Sequence, residues 1–265
     1  MFRCIKKYIH MKHFAILSLS IIFLLSSCSK DNNNETPAND FRNFNSQICT
    51  NVTGVQALYW DYAHGLPVPL TQIPTIANPG TQFIHTQYPG LGFTMPAGYS
   101  ATEITIPQIQ ALGVNVVRND NNVVWRYIPS LSLQGNVGVN DVLALEINNM
   151  FSVLGFNGSP QVVCTTNETG IIAGTFPSAF GARLLRFGNF TALVWARTMV
   201  DTTLNVTFTS ISVSVAPTTE FDAVVFETFL PISFQLLFID NDVRDSDLDG
   251  FPDNQDNFPF DPTRH

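Results

Sequence analysis

The sequence predicts an all-β fold, an antiparallel β-sandwich, for residues 48–239. Three observations lead there. Short stretches alternate apolar residues with threonine and asparagine, as in Leu204-Asn205-Val206-Thr207-Phe208-Thr209. Proline and glycine, 16 of each, break the chain at short intervals and leave no room for long helices. No long segment carries apolar residues at a sustained three- and four-residue spacing.

The elements before the β region are not part of a core. Arg3, Lys6, Lys7 and Lys12 precede an apolar run from Phe14 to Leu25, which is shorter than the roughly 20 apolar residues a bilayer span requires. Residues 1–27 therefore read as a secretory signal. Leu25-Ser26-Ser27-Cys28 follows it and resembles the lipobox of bacterial lipoproteins. The resemblance implies cleavage before Cys28, acylation of its thiol, and a membrane as partner through a lipid anchor worth about 0.8 kcal/mol per buried methylene. Residues 28–47 are asparagine-rich and nearly devoid of apolar side chains, so they cannot bury enough surface to fold and read as a disordered tether. Within them, Lys30-Asp31 is similar to the export signal of Bacteroidetes surface lipoproteins, which implies an outer-membrane address, exposed at the surface. Asn32 stands where that pattern continues with acidic residues.

Within the β region, a hairpin is predicted where Val114–Val117 and Val123–Tyr127 flank the turn-forming Asn119-Asp120-Asn121-Asn122. Further strands are expected at Gln161–Thr165, Leu184–Phe187, Ala192–Thr198, Ala223–Phe229 and Ser233–Ile239. In Leu204–Val215 the apolar parity shifts from even to odd positions, which predicts a β-bulge or a bend between two strands. Two short segments carry helix signals. Pro107–Gly113 has proline at its start and glycine at its end, and Asn140–Phe151 spaces Val142, Leu145, Ile147 and Met150 near helical intervals, although a strand with a loop fits it too.

Charge narrows the partners. The chain carries a formal net charge of −8, and −12 once the four positive charges of the signal are gone. That balance excludes nucleic acid and anionic membrane surfaces as partners. Lys30 is the last lysine in the sequence, so Schiff-base chemistry is excluded from the folded part. With Cys28 acylated, Cys49 and Cys164 are the two thiols of a mature protein in an oxidising compartment, and they are expected to pair. Such a bridge contributes on the order of 4 kcal/mol in the chain-entropy model.

The tail, residues 240–265, holds eight aspartates. Alternate carboxylates on a loop, with a glycine allowing a sharp turn, are what Ca²⁺ coordinates. Asp245-Ser246-Asp247-Leu248-Asp249-Gly250-Phe251-Pro252-Asp253-Asn254-Gln255-Asp256 resembles a thrombospondin type 3 repeat. The resemblance implies Ca²⁺ as a cofactor, held by the side chains of Asp245, Asp247, Asp249, Asp253 and Asp256 and by the Phe251 carbonyl. Phe258 stands where many members of that family have a cysteine.

Catalytic motifs are absent: there is no G-x-S-x-G, H-E-x-x-H, phosphate-binding loop or G-x-G-x-x-G. His64 and His85 lie in loop-like surroundings. Tyr59, Trp60, Asp61 and Tyr62, joined by Trp125 and its neighbours Arg126 and Tyr127, form the candidate ligand-binding patch, since aromatic faces beside a carboxylate suit a sugar ring. The same pattern in a strand also serves as half-buried core. Glu103, Glu146, Glu168 and Glu227 are scattered through a charge-poor domain and could serve a glycosidase-type pair only if the fold brings two together. Asp201-Thr202-Thr203 is similar to the acceptor pattern for O-linked glycans in Bacteroidetes. The sequence thus points to a noncatalytic envelope module, binding or structural, that contacts a glycan or an envelope protein and carries a calcium-binding tail, with a polysaccharide hydrolase using a pair of acidic residues as the alternative.

Overall fold

The computed structural model describes residues 49, 52–64, 74–237, 251 and 263–264. Among these residues nine strands and four α-helices follow one another in the order α1 (Val55–Ala63), β1 (Pro79–Ile84), β2 (Gly92–Pro96), β3 (Tyr99–Ile106), β4 (Ala111–Arg118), β5 (Val124–Gln134), α2 (Val139–Val153), β6 (Gln161–Ile172), β7 (Phe176–Phe187), β8 (Phe190–Asp201), β9 (Val206–Pro217), α3 (Phe221–Val224) and α4 (Leu230–Leu237). A single 3₁₀ turn, Pro107–Ile109, precedes β4, and a π-helical turn, Val225–Phe229, joins α3 to α4.

β3 to β9 form one antiparallel sheet in the order β3-β4-β5-β9-β8-β7-β6, and β1 pairs with β2 in a separate two-stranded sheet. The small sheet lies against one face of the large one, where Phe93 meets Trp125 edge-on at 5.7 Å. The architecture is therefore the expected antiparallel, sandwich-like β fold. Helices complete both outer layers. α1, α3 and α4 pack beside the small sheet, and α2 covers the opposite face of the large sheet.

The predicted hairpin is present as β4 and β5, closed by Asn119–Asn122 with Asn121 in the left-handed region. The strands expected at Gln161–Thr165, Leu184–Phe187 and Ala192–Thr198 are the start of β6, the end of β7 and the middle of β8. Of the two helix signals, Pro107–Gly113 gives only the 3₁₀ turn, and Asn140–Phe151 gives α2. Val139, Val142, Leu143, Glu146 and Met150 fill its buried stripe, the spacing of an amphipathic helix. Gly181 on β7 makes room for it, since a Cβ there would stand 2.7 Å from Leu143 Cδ1.

Three expectations are corrected. Ala223–Phe229 and Ser233–Ile239, read as strands, fold helically through residue 237. Their side chains are apolar nearly all round, and Val225, Phe229, Leu230 and Ile232 are fully buried. A helix buried on every side loses the periodicity that separates it from a buried strand. Pro231 sits at the second position of α4, where its missing N–H releases a carbonyl in the π turn. Tyr59–Tyr62, read as strand, lies on α1. The parity shift in Leu204–Val215 is no bulge, because β9 pairs with β8 in unbroken register. The bulge lies in β5 between Ile128 and Leu131, at Pro129, and β9 keeps its alternation by burying Thr207. The Thr207 hydroxyl is satisfied there, donating to Gly135 O and accepting from Val137 N.

Cys49 and Cys164 are joined, with Cα atoms 6.0 Å apart and a sequence separation of 115. A register shift between Val162 and Cys164 turns Cys164 toward the α1 face.

Candidate functional site

Strand pairing on the α1 face sets side chains in rows. Tyr127, Ser212 and Trp195 stand opposite one another on β5, β9 and β8. Two residues along β8, Arg197 lies between Ser210 on β9 and Phe180 on β7. Tyr127, Phe180, Trp195 and Arg197 are each half-buried, so this stretch of the face is open in part. The end of α1 reaches it with Ala63 and His64.

Arg197 is held mainly by rings. Its guanidinium carbon lies 5.2 Å from the Phe180 ring centre and 5.8 Å from that of Trp195, within range of cation–π attraction. Nη2 donates to the Ala63 carbonyl over 3.4 Å, which sets the cation at the C-terminal, negative end of α1. Nε is buried and has no acceptor. Burial pushes the Arg197 pKa down, and Tyr127, Glu168 and Tyr62 oppose the shift only in part.

His64 is fixed by chemistry as well as contact. Its Nδ1 lies 2.7 Å from the Trp60 carbonyl, which can only accept, so Nδ1 carries the proton. Nε2 then presents a lone pair, buried and without a partner. The ring packs 4.8 Å from Trp60 and edge-on against Phe180, also at 4.8 Å. Burial first, and the Arg197 charge to a smaller extent, lower its pKa to about 4. The imidazole is neutral at physiological pH. Burial likewise pushes Tyr127 up to about 12, so its hydroxyl keeps its proton.

The predicted patch residues are brought together, but as core. Tyr59, Trp60, Asp61 and Trp125 are 3%, 1%, 1% and 2% exposed, which leaves no ring face for a sugar, and Tyr62 alone among the five is half-buried. Tyr59 hydrogen-bonds Ser214 at 2.7 Å and stacks with Phe229 at 5.8 Å. Strand alternation splits the neighbours of Trp125. Tyr127 shares its face, whereas Arg126 points to α2, where Nε lies 3.2 Å from the buried Glu146.

The four scattered glutamates stay apart. Glu103 is on edge strand β3, where it accepts bonds from Thr86 N and Oγ1 at 2.6 and 2.7 Å. Those bonds lower its pKa. Glu168 is on the opposite edge strand, Glu146 is on the buried face of α2, and Glu227 is on the π turn. A cleft of about 660 Å³ at the β7–β8 turn, lined by Gln161, Arg186, Asn189, Phe190 and Thr218 among others, contains no carboxylate. His85 is buried, with Nε2 3.3 Å from the Ile104 carbonyl. Asp201 accepts bonds from Thr203 N and Leu204 N in the β8–β9 turn.

Cys28 and the tail residues Asp245, Asp247, Asp249, Asp253 and Asp256 lie outside the described residues. Phe251 is described and is 39% exposed. Among the described residues no group of three or more histidines, cysteines or carboxylates could hold a metal.

The sequence reading missed Phe180, Trp195 and Arg197. Trp195-Ala196-Arg197 on a strand does place two large side chains on one face, but nothing local says which neighbours they meet.

No family model and no curated protein matches the chain. Among solved structures it is similar to LpqN of Mycobacterium tuberculosis, described as involved in cell envelope biogenesis. The two are 14% identical over 57% of this chain and 83% of that one, with a TM-score of 0.26. It is similar also to the Ran-binding protein Mog1p of Saccharomyces cerevisiae, 14% identical over 60% of this chain and 90% of that one, with a TM-score of 0.29. A Pseudomonas aeruginosa protein of unknown function matches at 7% identity, over 56% and 89% of the two chains, with a TM-score of 0.23. Likeness at these scores carries no argument about function.

Proposed function

We propose that this chain is a noncatalytic lipoprotein of the bacterial envelope. Lipid on Cys28 anchors it to the outer membrane, the β domain binds a glycan or an envelope protein, and the aspartate-rich tail binds Ca²⁺. The observation that carries the reading is the partly open shelf of Arg197, Phe180, Trp195 and Tyr127, set in a domain whose carboxylates are dispersed. Binding needs a shaped surface with a few placed polar groups, whereas acid–base chemistry needs converging titratable ones. The Cys49–Cys164 bridge supports an oxidising, extracytoplasmic address. Leu25-Ser26-Ser27-Cys28 supports the anchor, and the regular aspartate spacing from Asp245 supports the metal.

Metabolic labelling with an alkyne fatty acid tests the anchor. The chain should label and partition with outer-membrane detergent extracts, and Cys28→Ala should abolish both. Calorimetry with Ca²⁺ on the mature chain tests the tail, where saturable binding lost in Asp247→Ala and in Asp249→Ala is expected. An unlabelled, soluble wild type would overturn the envelope reading, and absence of Ca²⁺ binding would overturn the metal.

A further inference from the structure

The five arginines of the β domain differ in how their charge is met. Arg118 pairs with Asp120 and Glu220 at 2.8 and 2.7 Å, and Arg126 pairs with Glu146 at 3.2 Å. Arg183 donates to four oxygens, those of Thr166, Ala182, Asn140 and Asn167. Arg186 is exposed. Arg197 has two ring faces, one long bond to Ala63, a buried Nε without an acceptor, and Glu168 beyond Phe180 in the same cross-strand row as a charge that acts on it without an ion pair. A half-buried guanidinium whose Nε is buried without an acceptor is costly, and the rings and the helix end offset only part of that cost. The planar fork it presents matches a carboxylate.

We infer that this shelf binds an acidic sugar, a hexuronic acid residue within a short glycan. Arg197 takes its carboxylate, and the Trp195 and Tyr127 rings take the apolar face of the pyranose. The inference rests on the binding-module reading above and names the ligand class.

Three observations favour a uronate over other anions. Capture of an extended peptide by strand addition needs a free sheet edge, but β5, β7 and β8 each have neighbours paired on both sides. Polyphosphate ligands carry several charges on one group and are opposed by the lack of a second cation among the described residues of the shelf. Half-exposed aromatic rings beside Arg197 suit the apolar face of a pyranose.

The test is calorimetry on the mature chain carrying Cys28→Ser, with tetragalacturonate and tetramannuronate against methyl-esterified tetragalacturonate and maltotetraose. Saturable binding of at least one uronate is expected, at least about tenfold tighter than either neutral glycan, since one charge-assisted pair carries the difference. Arg197→Gln should erase the preference. Should that variant fail to fold, the acid-against-ester comparison on the unaltered shelf decides. Equal affinity for acid and ester, no binding of either uronate, or a preference that survives in folded Arg197→Gln overturns the inference. Tight binding of maltotetraose alone would overturn it while leaving the binding module intact. Shortened uronate products in the calorimeter cell would overturn the noncatalytic reading instead.

Discussion

Replacing His64 with glutamine probes the interior of the site through proton linkage. The imidazole has a pKa of about 4 in the fold, against 6.5 when unfolded. The folded value is the lower one, so between these limits the unfolded chain binds the extra proton. Stability is therefore complete above pH 6.5 and is lost as pH falls toward 4. At 1.36 kcal/mol per pKa unit, the loss from this one group is about 1 kcal/mol at pH 6, about 2 at pH 5 and about 3 at pH 4. His64→Gln keeps an amide donor for the Trp60 carbonyl but does not titrate. Urea unfolding of both proteins between pH 4 and pH 7.5 isolates the term, since Asp120 and Glu220, whose pKa values the Arg118 pair lowers, titrate in both. The wild type should lose about 3 kcal/mol more than the variant across the range. Parallel curves would refute the assignment of a buried, neutral His64.

Removing the disulfide with Cys49→Ser and Cys164→Ser together should lower stability by about 4 to 5 kcal/mol, given a loop of 115 residues. Thermal melts should show the wild type under reductant matching the double variant, and a melt indifferent to reductant would contradict the pairing. Leu143→Ala, which empties the α2 interface over Gly181, should cost about 2 to 5 kcal/mol in urea unfolding, whereas Val153→Ala at an 81% exposed position should change it by less than about 0.5. Gly113→Ala places a Cβ 2.5 Å from the Tyr127 carbonyl in the neighbouring strand and should destabilise by about 1 to 3 kcal/mol; a neutral result would mean β4 and β5 are not so closely apposed.

What was legible in the sequence depended on whether the deciding interaction was local. The β4–β5 hairpin could be read because Asn119–Asn122 supplies its turn within the same dozen residues that supply its strands. The cysteine pairing could be read because count and compartment left one partner, although the two are 115 positions apart. The α3–α4 region could not be read, because burial on all sides erases the helical stripe and Val224, Val225 and Ile232 favour strands when judged alone. The aromatic run Tyr59–Tyr62 was legible as core or ligand surface, and only the seating of α1 under β5 and β9 decides for core. The shelf was illegible for a related reason. Its members come from α1, β5, β7 and β8, and Arg197 is unusual only for the acceptors its neighbours fail to provide.

That long-range origin ties the site to the disulfide. Cys49 precedes α1, and Cys164 lies on β6 in the row that continues through Leu184 and Leu193 to Ser214, the partner of Tyr59. The bridge therefore pins the entry of α1 to one side of the sheet while Tyr59 pins its middle. The far end of the helix delivers the Ala63 carbonyl to Arg197 and His64 to Phe180. Lost bridging would free the helix entry first, and the orientation of His64 against the shelf depends on that entry through only two turns of helix. Reduction should thus weaken ligand binding at the shelf at temperatures well below those that unfold the sheet, because the paired strands keep Phe180, Trp195 and Arg197 in register without α1.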